Sequence, residues 1–303
     1  MQKKRKRKLK PSAIVCYFFL TLGGLIMLYP LIFIIMASFF TPEEFNTSVL
    51  GFFPIAKNPT LNNFKALFLA SSDEYTLIYY KNSIIRTLYG TFNSCLTALL
   101  AGYVFARLKF KGKNVLFMIL LATQMMPSIV GTLPMFLELI RFPFAGGNSP
   151  IYGGTGIYDT MGVYILLNGG LINVMGTFLV KQTIESTPPE LVEAAKIDGA
   201  NTFQIIFRVV FPTVKTIIAY IAITSAIGIW NDWSVPFYYT DSRELQTIAS
   251  ALTRLTSFAG QEGAMINYPA ILAFSLMLTV PSLIIFAIFQ KWIVEGIANA
   301  GLK

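Results

Sequence analysis

The chain lacks histidine altogether, and only 13% of its 303 residues are charged. Without histidine it has neither the commonest metal ligand nor the usual general base. It has two cysteines, Cys16 and Cys95, each inside an apolar run. Two such residues make neither metal-ligand spacing nor a disulfide framework. Both are read as small buried hydrophobes. The phosphate-binding pattern Gly-x-x-x-x-Gly-Lys-Ser/Thr is missing, so the chain is not expected to bind ATP by that route. No nucleophile and base stand at catalytic spacing, so no enzyme activity and no metal are expected. Soluble domains carry about 25% charged residues. Roughly half that supply cannot clothe a soluble globule, and disorder needs the opposite composition.

What is present is apolar: 54% of the residues. A membrane-crossing helix takes about 20 such residues. Six stretches are long enough: Ser12–Phe40, Thr87–Ala106, Asn114–Leu137, Thr160–Val180, Val214–Phe237 and Gly263–Gln290. The third holds Pro127 and Pro134 and is expected to kink. The fourth is rich in glycine (Gly162, Gly169, Gly170, Gly176), the fifth carries Asp232, and the sixth contains Pro281. Segments of this length span lipid as helices, because lipid leaves no other partner for backbone N–H and C=O groups.

Charge sets the orientation. The net charge is +9, and seven basic residues crowd the first ten. That cluster abuts an apolar run, as on a cytoplasmic flank facing anionic lipid. No nucleic-acid-binding fold follows it, so no nucleic-acid partner is expected. With the N-terminus inside, 17 of the 24 basic residues fall on the cytoplasmic side. The expected protein is therefore an all-α integral membrane protein. It has six transmembrane helices and both termini in the cytoplasm. Its organisation reads as a basic N-terminus over 1–11 and a single transmembrane domain over 12–303. External loops fall at 41–80, 141–159 and 237–262. In the first, Leu61, Phe64, Leu67 and Phe68 share one helical face. Such a helix lies on the outer membrane surface or packs on the bundle.

The cytoplasmic segment 185–212 carries the helix punctuation. Thr187 stands as an N-cap, with Pro188 at the first helical position and Glu190 completing a capping box. Gly199 is placed to end that helix. Asn201 with Gln204 starts a second short helix, which Pro212 is expected to stop. Two short helices with a glycine elbow are marginal alone in water and need something to dock against.

Glu193-Ala194-Ala195, Asp198-Gly199-Ala200 and Pro212 resemble the EAA loop of ABC-importer permeases. Asn58-Pro-Thr-Leu-Asn-Asn-Phe64, Asn82-Ser-Ile84 and Ala106-Arg-Leu-Lys-Phe-Lys-Gly-Lys-Asn114 are similar to family motifs too. So are Gly228-Ile-Trp-Asn-Asp232 and Phe289-Gln-Lys-Trp-Ile-Val-Glu-Gly296. Together they resemble the maltose-type, carbohydrate-uptake branch, and its second permease in particular. The glycine-rich loop from Phe142 to Asp159 is longer than that pattern, and the C-terminal tail slightly shorter.

The resemblance implies an ABC importer type I permease fold in the cell membrane. It implies a subunit moving an oligosaccharide or polysaccharide inward by alternating access. The implied partners are a second, homologous permease, two cytoplasmic ATPases that bind ATP and magnesium, and an extracytoplasmic sugar-binding protein. Glu193, Ala194, Ala195, Asp198, Gly199 and Pro212 would couple the permease to the ATPase. Asp232 lines the sugar path or is a solvated acid at the interface. Its neighbours Trp230, Asn231 and Trp233 suit sugar faces and hydroxyls, but Trp is also a belt anchor. Gln124 and Asn168, uncharged and mid-span, bind sugar hydroxyls or bridge helices. The alternative reading is an ion-coupled secondary transporter, which needs acids or unwound helices at mid-membrane.

Overall fold

The computed structural model describes residues 11–47, 51–69, 75–141, 156–168, 172–257 and 266–301. All regular structure among them is helical. The chain divides into two compact units, Met1–Ala70 with Ala259–Met277 and Ser71–Phe258 with Leu278–Lys303.

In the first unit, α1 (Pro11–Ala37) runs apolar on every side and continues through Pro30. It turns most of its large side chains outward, Met27 being 83% exposed. Such a surface suits lipid or another protein, because burial here is not against water. Cys16 shares that outer surface, which corrects its reading as a buried residue. Then follow α2 (Pro42–Thr47) and α3 (Asn62–Leu69). The Asn-Pro-Thr-Leu-Asn-Asn motif closes this corner. The buried Asn63 amide donates to the Ser38 and Phe40 carbonyls, both at 2.7 Å. The Phe39 carbonyl accepts from Thr60 N–H at 2.8 Å. Those carbonyls lie just past the end of α1, where the helix has no internal partners to offer.

The second unit is built around α4 (Tyr75–Arg107). Gly90, Ser94, Ala98 and Gly102 recur every fourth residue and give it one small-residue edge. That edge admits close neighbours, α8 (Val174–Glu185) and α11 (Phe211–Asn231). At Gly102 a Cβ would lie 2.5 Å from Val180 Cγ1, so only glycine fits. Between α4 and α8 the chain runs through α5 (Lys113–Thr123), a short 3-10 turn Ser128–Gly131, α6 (Thr132–Ile140) and α7 (Met161–Leu167).

Among the described residues, four helices are long and apolar enough to cross a membrane: Val15–Ala37, Thr76–Arg107, Thr202–Asn231 and Tyr268–Gln290. The last belongs to α14 (Tyr268–Gly301), which runs on through Pro281. A fifth crossing is counted if the bent pair Lys113–Thr123 and Ser128–Ile140 is taken as one span. That pair turns by 96° at the break before Pro127, a sharper change than the expected kink. Pro134 causes no break, because it sits in the first turn of α6 where a missing N–H is harmless. The expected continuous span Thr160–Val180 is not one helix. Helix α7 ends at Leu167 and α8 starts at Val174, with Asn173 as its N-cap. The Asn173 side chain accepts from Gly176 N–H and starts α8 afresh inside the expected span. The expected fifth span also ends early, at Asn231, and Ser234–Tyr239 forms a separate helix, α12.

The basic residues 3–10 and most of the glycine-rich loop, 142–155, lie outside the described residues.

Candidate coupling loop and transport path

After α8 comes α9 (Glu190–Ile197). Its start differs from expectation. Thr187 does not cap it, because its hydroxyl donates back to Thr183 O at 3.0 Å. Pro189 stands at the N-cap instead and supplies no side-chain cap; its carbonyl accepts the first helical bonds, from Val192 and Glu193 N–H. The end follows expectation closely. Gly199 has φ +80°. Ala200 N–H reaches Ala195 O at 2.9 Å and Gly199 N–H reaches Lys196 O at 3.1 Å. This pair is a Schellman closure, which needs a left-handed residue at the glycine. A Cβ at Gly199 would meet nothing within 4 Å. The constraint there is backbone conformation, not space.

The expected capping box of the next helix is present: Asn201 and Gln204 satisfy each other's backbone N–H, at 2.9 and 2.8 Å. Pro212, however, does not stop the helix. From Thr202 the chain is helical through α10 (Thr202–Gln204), a π-helical stretch Ile205–Val210 and α11. A proline ring crowds the carbonyl four residues back. The wider π-turn before Pro212 relieves that clash, with Phe211 N–H reaching back five residues to Ile206 O.

The loop is anchored on one face and open on the other. Val192 joins the core cluster of Val180, Ile184, Ile205, Ile206 and Val214, with Ala195 packed against it. Glu193, Ala194, Asp198 and Gly199 are exposed, and so is Ile197 at 86%. Arg107, at the end of α4, ties the loop to the bundle. Its Nη2 donates to Ile184 O at 2.9 Å and Thr187 O at 2.7 Å. In the sequence Arg107 stood within the Ala106–Asn114 motif and among the cytoplasmic positive charges, with no partner assigned.

Within the N-terminal half of α4 the chain buries Arg86, 4% exposed. Its guanidinium pairs with the Asp232 carboxylate. It also donates to Asp232 O at 2.9 Å and, from Nε, to Asn168 Oδ1 at 2.7 Å. The Tyr164 ring lies 5.3 Å from it. Asp232 Oδ1 accepts further from Ser234 N–H and Oγ–H. So Asn168 and Asp232, two expected path residues, come together around an arginine that the sequence reading did not single out. The one available signal was an acid and a base at the ends of two spans.

The other candidates separate. Trp230 is 5% exposed, and its indole N–H donates to Leu278 O at 2.9 Å. It bridges α11 to α14. Asn231 donates to Ile227 O and Ser282 Oγ. Trp233 is 40% exposed and meets Phe237 and Tyr238 edge-on or tilted. Gln124 follows α5 at the bend and borders a cavity of about 360 Å³. Ser94, Ile172, Asn173, Val174, Ser225, Gly228 and Ile229 complete its lining.

The stretch 237–257, expected as a loop, is folded. It holds α12, a short turn Arg243–Leu245 and α13 (Ile248–Ser257). Asn82 donates to Glu244 O and Gln246 O, and Ser83 Oγ accepts from Ile248 N–H. Arg254 donates to Phe237 O and Thr240 O. Asp159 Oδ1 accepts from Asp241 and Ser242 N–H at 2.7 and 2.8 Å. Burial alone would raise the Asp159 carboxyl, but bonds from Ser242 and Asp241 and the charge of Arg254 outweigh it and hold it low.

Residues 98–299 match the family described as the binding-protein-dependent transport system inner membrane component. That is two thirds of the chain, and the protein belongs to this family. It is a non-catalytic, multi-pass membrane subunit of an ABC transporter. The ion-coupled alternative falls with that assignment. The chain is similar to the arabinooligosaccharides transport system permease protein of Halalkalibacterium halodurans, at 27% identity over 98% of this chain and 99% of that one. It is 30% identical to the melibiose/raffinose/stachyose import permease protein of Bacillus subtilis, over 73% of this chain and 76% of the other. The maltodextrin transport system permease protein of Streptococcus pneumoniae is 26% identical over 99% and 98%. Its fold resembles a chain of a bacterial ABC transporter that imports the acidic polysaccharide alginate. The TM-score there is 0.74 at 21% identity, covering 94% of this chain and 99% of that one. A second structure, of the alginate transporter with an alginate-bound periplasmic protein, gives 0.60 at 17% identity.

Proposed function

We propose that this chain is one of two homologous membrane subunits of an importer for oligosaccharides, working by alternating access. An external binding protein delivers the sugar. Two separate ATPases bind ATP with magnesium and drive the cycle; this chain binds neither. The relatives named for arabinooligosaccharides, raffinose and maltodextrin transport support the sugar class.

In this reading the bent pair α5–α6 and the broken pair α7–α8 each complete one crossing. With the four long helices that makes six, with both termini in the cytoplasm. The excess of basic residues on that side supports it. The domain is then a single transmembrane permease, with 185–212 as its coupling loop.

The observation that carries the proposal is the two-faced α9. Its inner face is fixed by Val192 and Ala195, and its outer face presents Glu193, Ala194 and Ile197 beside the Gly199 closure. An ATPase groove gripping that outer face can push the core cluster as a rigid body. Glu193 supplies a charge-assisted hydrogen bond, worth about 1.5–3 kcal/mol if shielded. Gly199 fixes the angle, and a β-branched residue there costs about 1–2 kcal/mol.

The test is reconstitution in vesicles with copurification of the ATPase. Glu193→Lys and Gly199→Val each abolish uptake while the permease still inserts in the membrane. Near-normal uptake in both variants removes this loop from the coupling role. A vanadate-insensitive transport that collapses with proton uncouplers would overturn the importer reading itself.

A further inference from the structure

We propose that the loop 51–56 is a lipid wedge. Its side chains Phe52, Phe53 and Ile55 insert into the leaflet opposite the basic N-terminus and anchor that end of α1. The proposal rests on α1 crossing the bilayer, for which it is long and apolar enough, and on nothing about the cargo.

Composition and exposure make the first argument. Gly51-Phe-Phe-Pro-Ile-Ala56 holds no polar side chain, whereas loops that face water are built largely from polar and turn residues. Phe52, Phe53 and Ile55 are 69%, 54% and 75% exposed. Pro54 between them is buried and has no N–H to leave unpaired. The loop is held in this pose by Tyr29 of α1. The Tyr29 hydroxyl donates to Phe52 O at 2.8 Å, and its ring stacks on the Phe52 ring at 4.2 Å. Phe53 meets the Tyr29 and Phe52 rings edge-on, at 6.0 and 5.1 Å.

Depth is the second argument. Tyr29 lies eight residues before Ala37, the last residue of α1. At about 1.5 Å per residue the wedge therefore hangs about 12 Å below the helix end. By the same rise the 27 residues of α1 run about 40 Å, against a hydrocarbon core about 30 Å thick. With α1 centred in the bilayer, the wedge sits about 7 Å inside the hydrocarbon edge, within the roughly 5–10 Å that apolar faces of interfacial elements reach. Backbone carbonyls at that depth need a partner other than water, and the Tyr29 hydroxyl supplies one to Phe52 O. A tyrosine suits the layer, having an apolar ring and a polar tip.

The third argument selects lipid over a protein neighbour. Past Ala56 the chain turns polar at once, with Lys57 and Asn58. The Glu44 carboxylate, on α2 just beyond the end of α1, accepts from Lys57 N–H at 2.6 Å and Asn58 N–H at 3.4 Å. Thr60 N–H then reaches Phe39 O, also just past that end. Polar groups thus gather at the level of the helix end, and the apolar side chains hang below them. Lower still, the apolar surface continues along α1 through Ile26, 65% exposed and one turn from Tyr29. A bilayer imposes such a border at a single depth. A protein interface instead rings an apolar centre with a polar rim.

The test puts nitroxide labels into the assembled transporter, in vesicles of phosphatidylethanolamine and phosphatidylglycerol. The background carries Cys16→Ser and Cys95→Ala. Labels are attached singly at Phe53→Cys, Ile55→Cys and Lys57→Cys, with Met27→Cys as the depth reference. Saturation paramagnetic resonance compares collisions with oxygen, which concentrates in lipid, and with a water-soluble nickel chelate. Oxygen dominates several-fold at Phe53→Cys and Ile55→Cys, and the chelate dominates at Lys57→Cys. The chelate dominating at all three overturns the wedge. Labels at Phe53→Cys and Ile55→Cys that neither agent reaches assign the face to a protein neighbour and overturn lipid as its occupant. The chelate dominating at Met27→Cys refutes the span beneath the proposal, a distinct failure. If the background fails to assemble, Phe53→Trp in the otherwise natural chain carries the test. Acyl chains brominated near the headgroup then quench the added emission more than chains brominated near the terminal methyl. No quenching of that emission by either lipid overturns the insertion.

Discussion

Two arginines on the same helix do different work. Arg86 and Arg107 stand 21 residues apart on α4 and flank its apolar stretch. Arg86 is paired with a carboxylate and clamps three stretches of chain, at α4, Asn168 and Asp232. Arg107 is bonded to two backbone carbonyls where α8 runs out of partners. The first arrangement depends on a partner side chain 146 residues away. The second asks only for a helix end in reach. A charge clamp is unforgiving, because removing one partner leaves the other buried and unpaired. A carbonyl clamp can be replaced in part by any cation or by water.

Breaking the first clamp has the largest expected effect. Arg86→Met strands the Asp232 carboxylate and costs about 3 kcal/mol or more. The purified permease complex should melt several degrees lower in detergent, or fail to accumulate. Arg86→Met with Asp232→Leu removes both charges and recovers much of the loss. A single variant as stable as the wild type would show that the pair is not the clamp.

Breaking the second is milder. Arg107→Ala removes two charge-assisted bonds and costs about 1.5–3 kcal/mol at most. The global melt moves little, because the loop is anchored independently through Val192 and Ala195. Uptake per ATP drops, and Arg107→Lys restores part of it. Equal thermal shifts for Arg86→Met and Arg107→Ala would erase the distinction between the two clamps.

The smallest effect belongs to Asp159, which is held low by hydrogen bonds at the more exposed corner with Ser242. Its folded form favours the charged carboxylate. The corner's contribution is therefore full above the ordinary carboxylate range of about 3.9. It is lost as pH falls through the lowered value. Asp159→Asn should lower stability slightly at neutral pH and flatten this acid limb, with variant and wild type converging as pH falls through the lowered value. An acid limb that survives the substitution would assign it elsewhere.

The amino-acid sequence by itself determined the class, because so few charged residues can cover only a protein solvated by lipid. It also determined the local closures whose chemistry sits within a few residues. Gly199 is in the left-handed region, and Asn201 with Gln204 forms its box. Family membership was legible for the same reason, in short contiguous motifs. Tertiary structure decided what depends on partners far along the chain. Thr187 lost its capping role when its hydroxyl turned back to Thr183 and the loop was tied down by Arg107. Pro212 failed to stop a helix because a π-turn absorbed its ring within a packed bundle. The same holds for the two broken segments, for the cavity at their interruption and for Arg86 with Asp232. A hydrogen bond or ion pair between residues 82 or 146 positions apart has no local pattern to announce it. Only folding brings its two halves within reach.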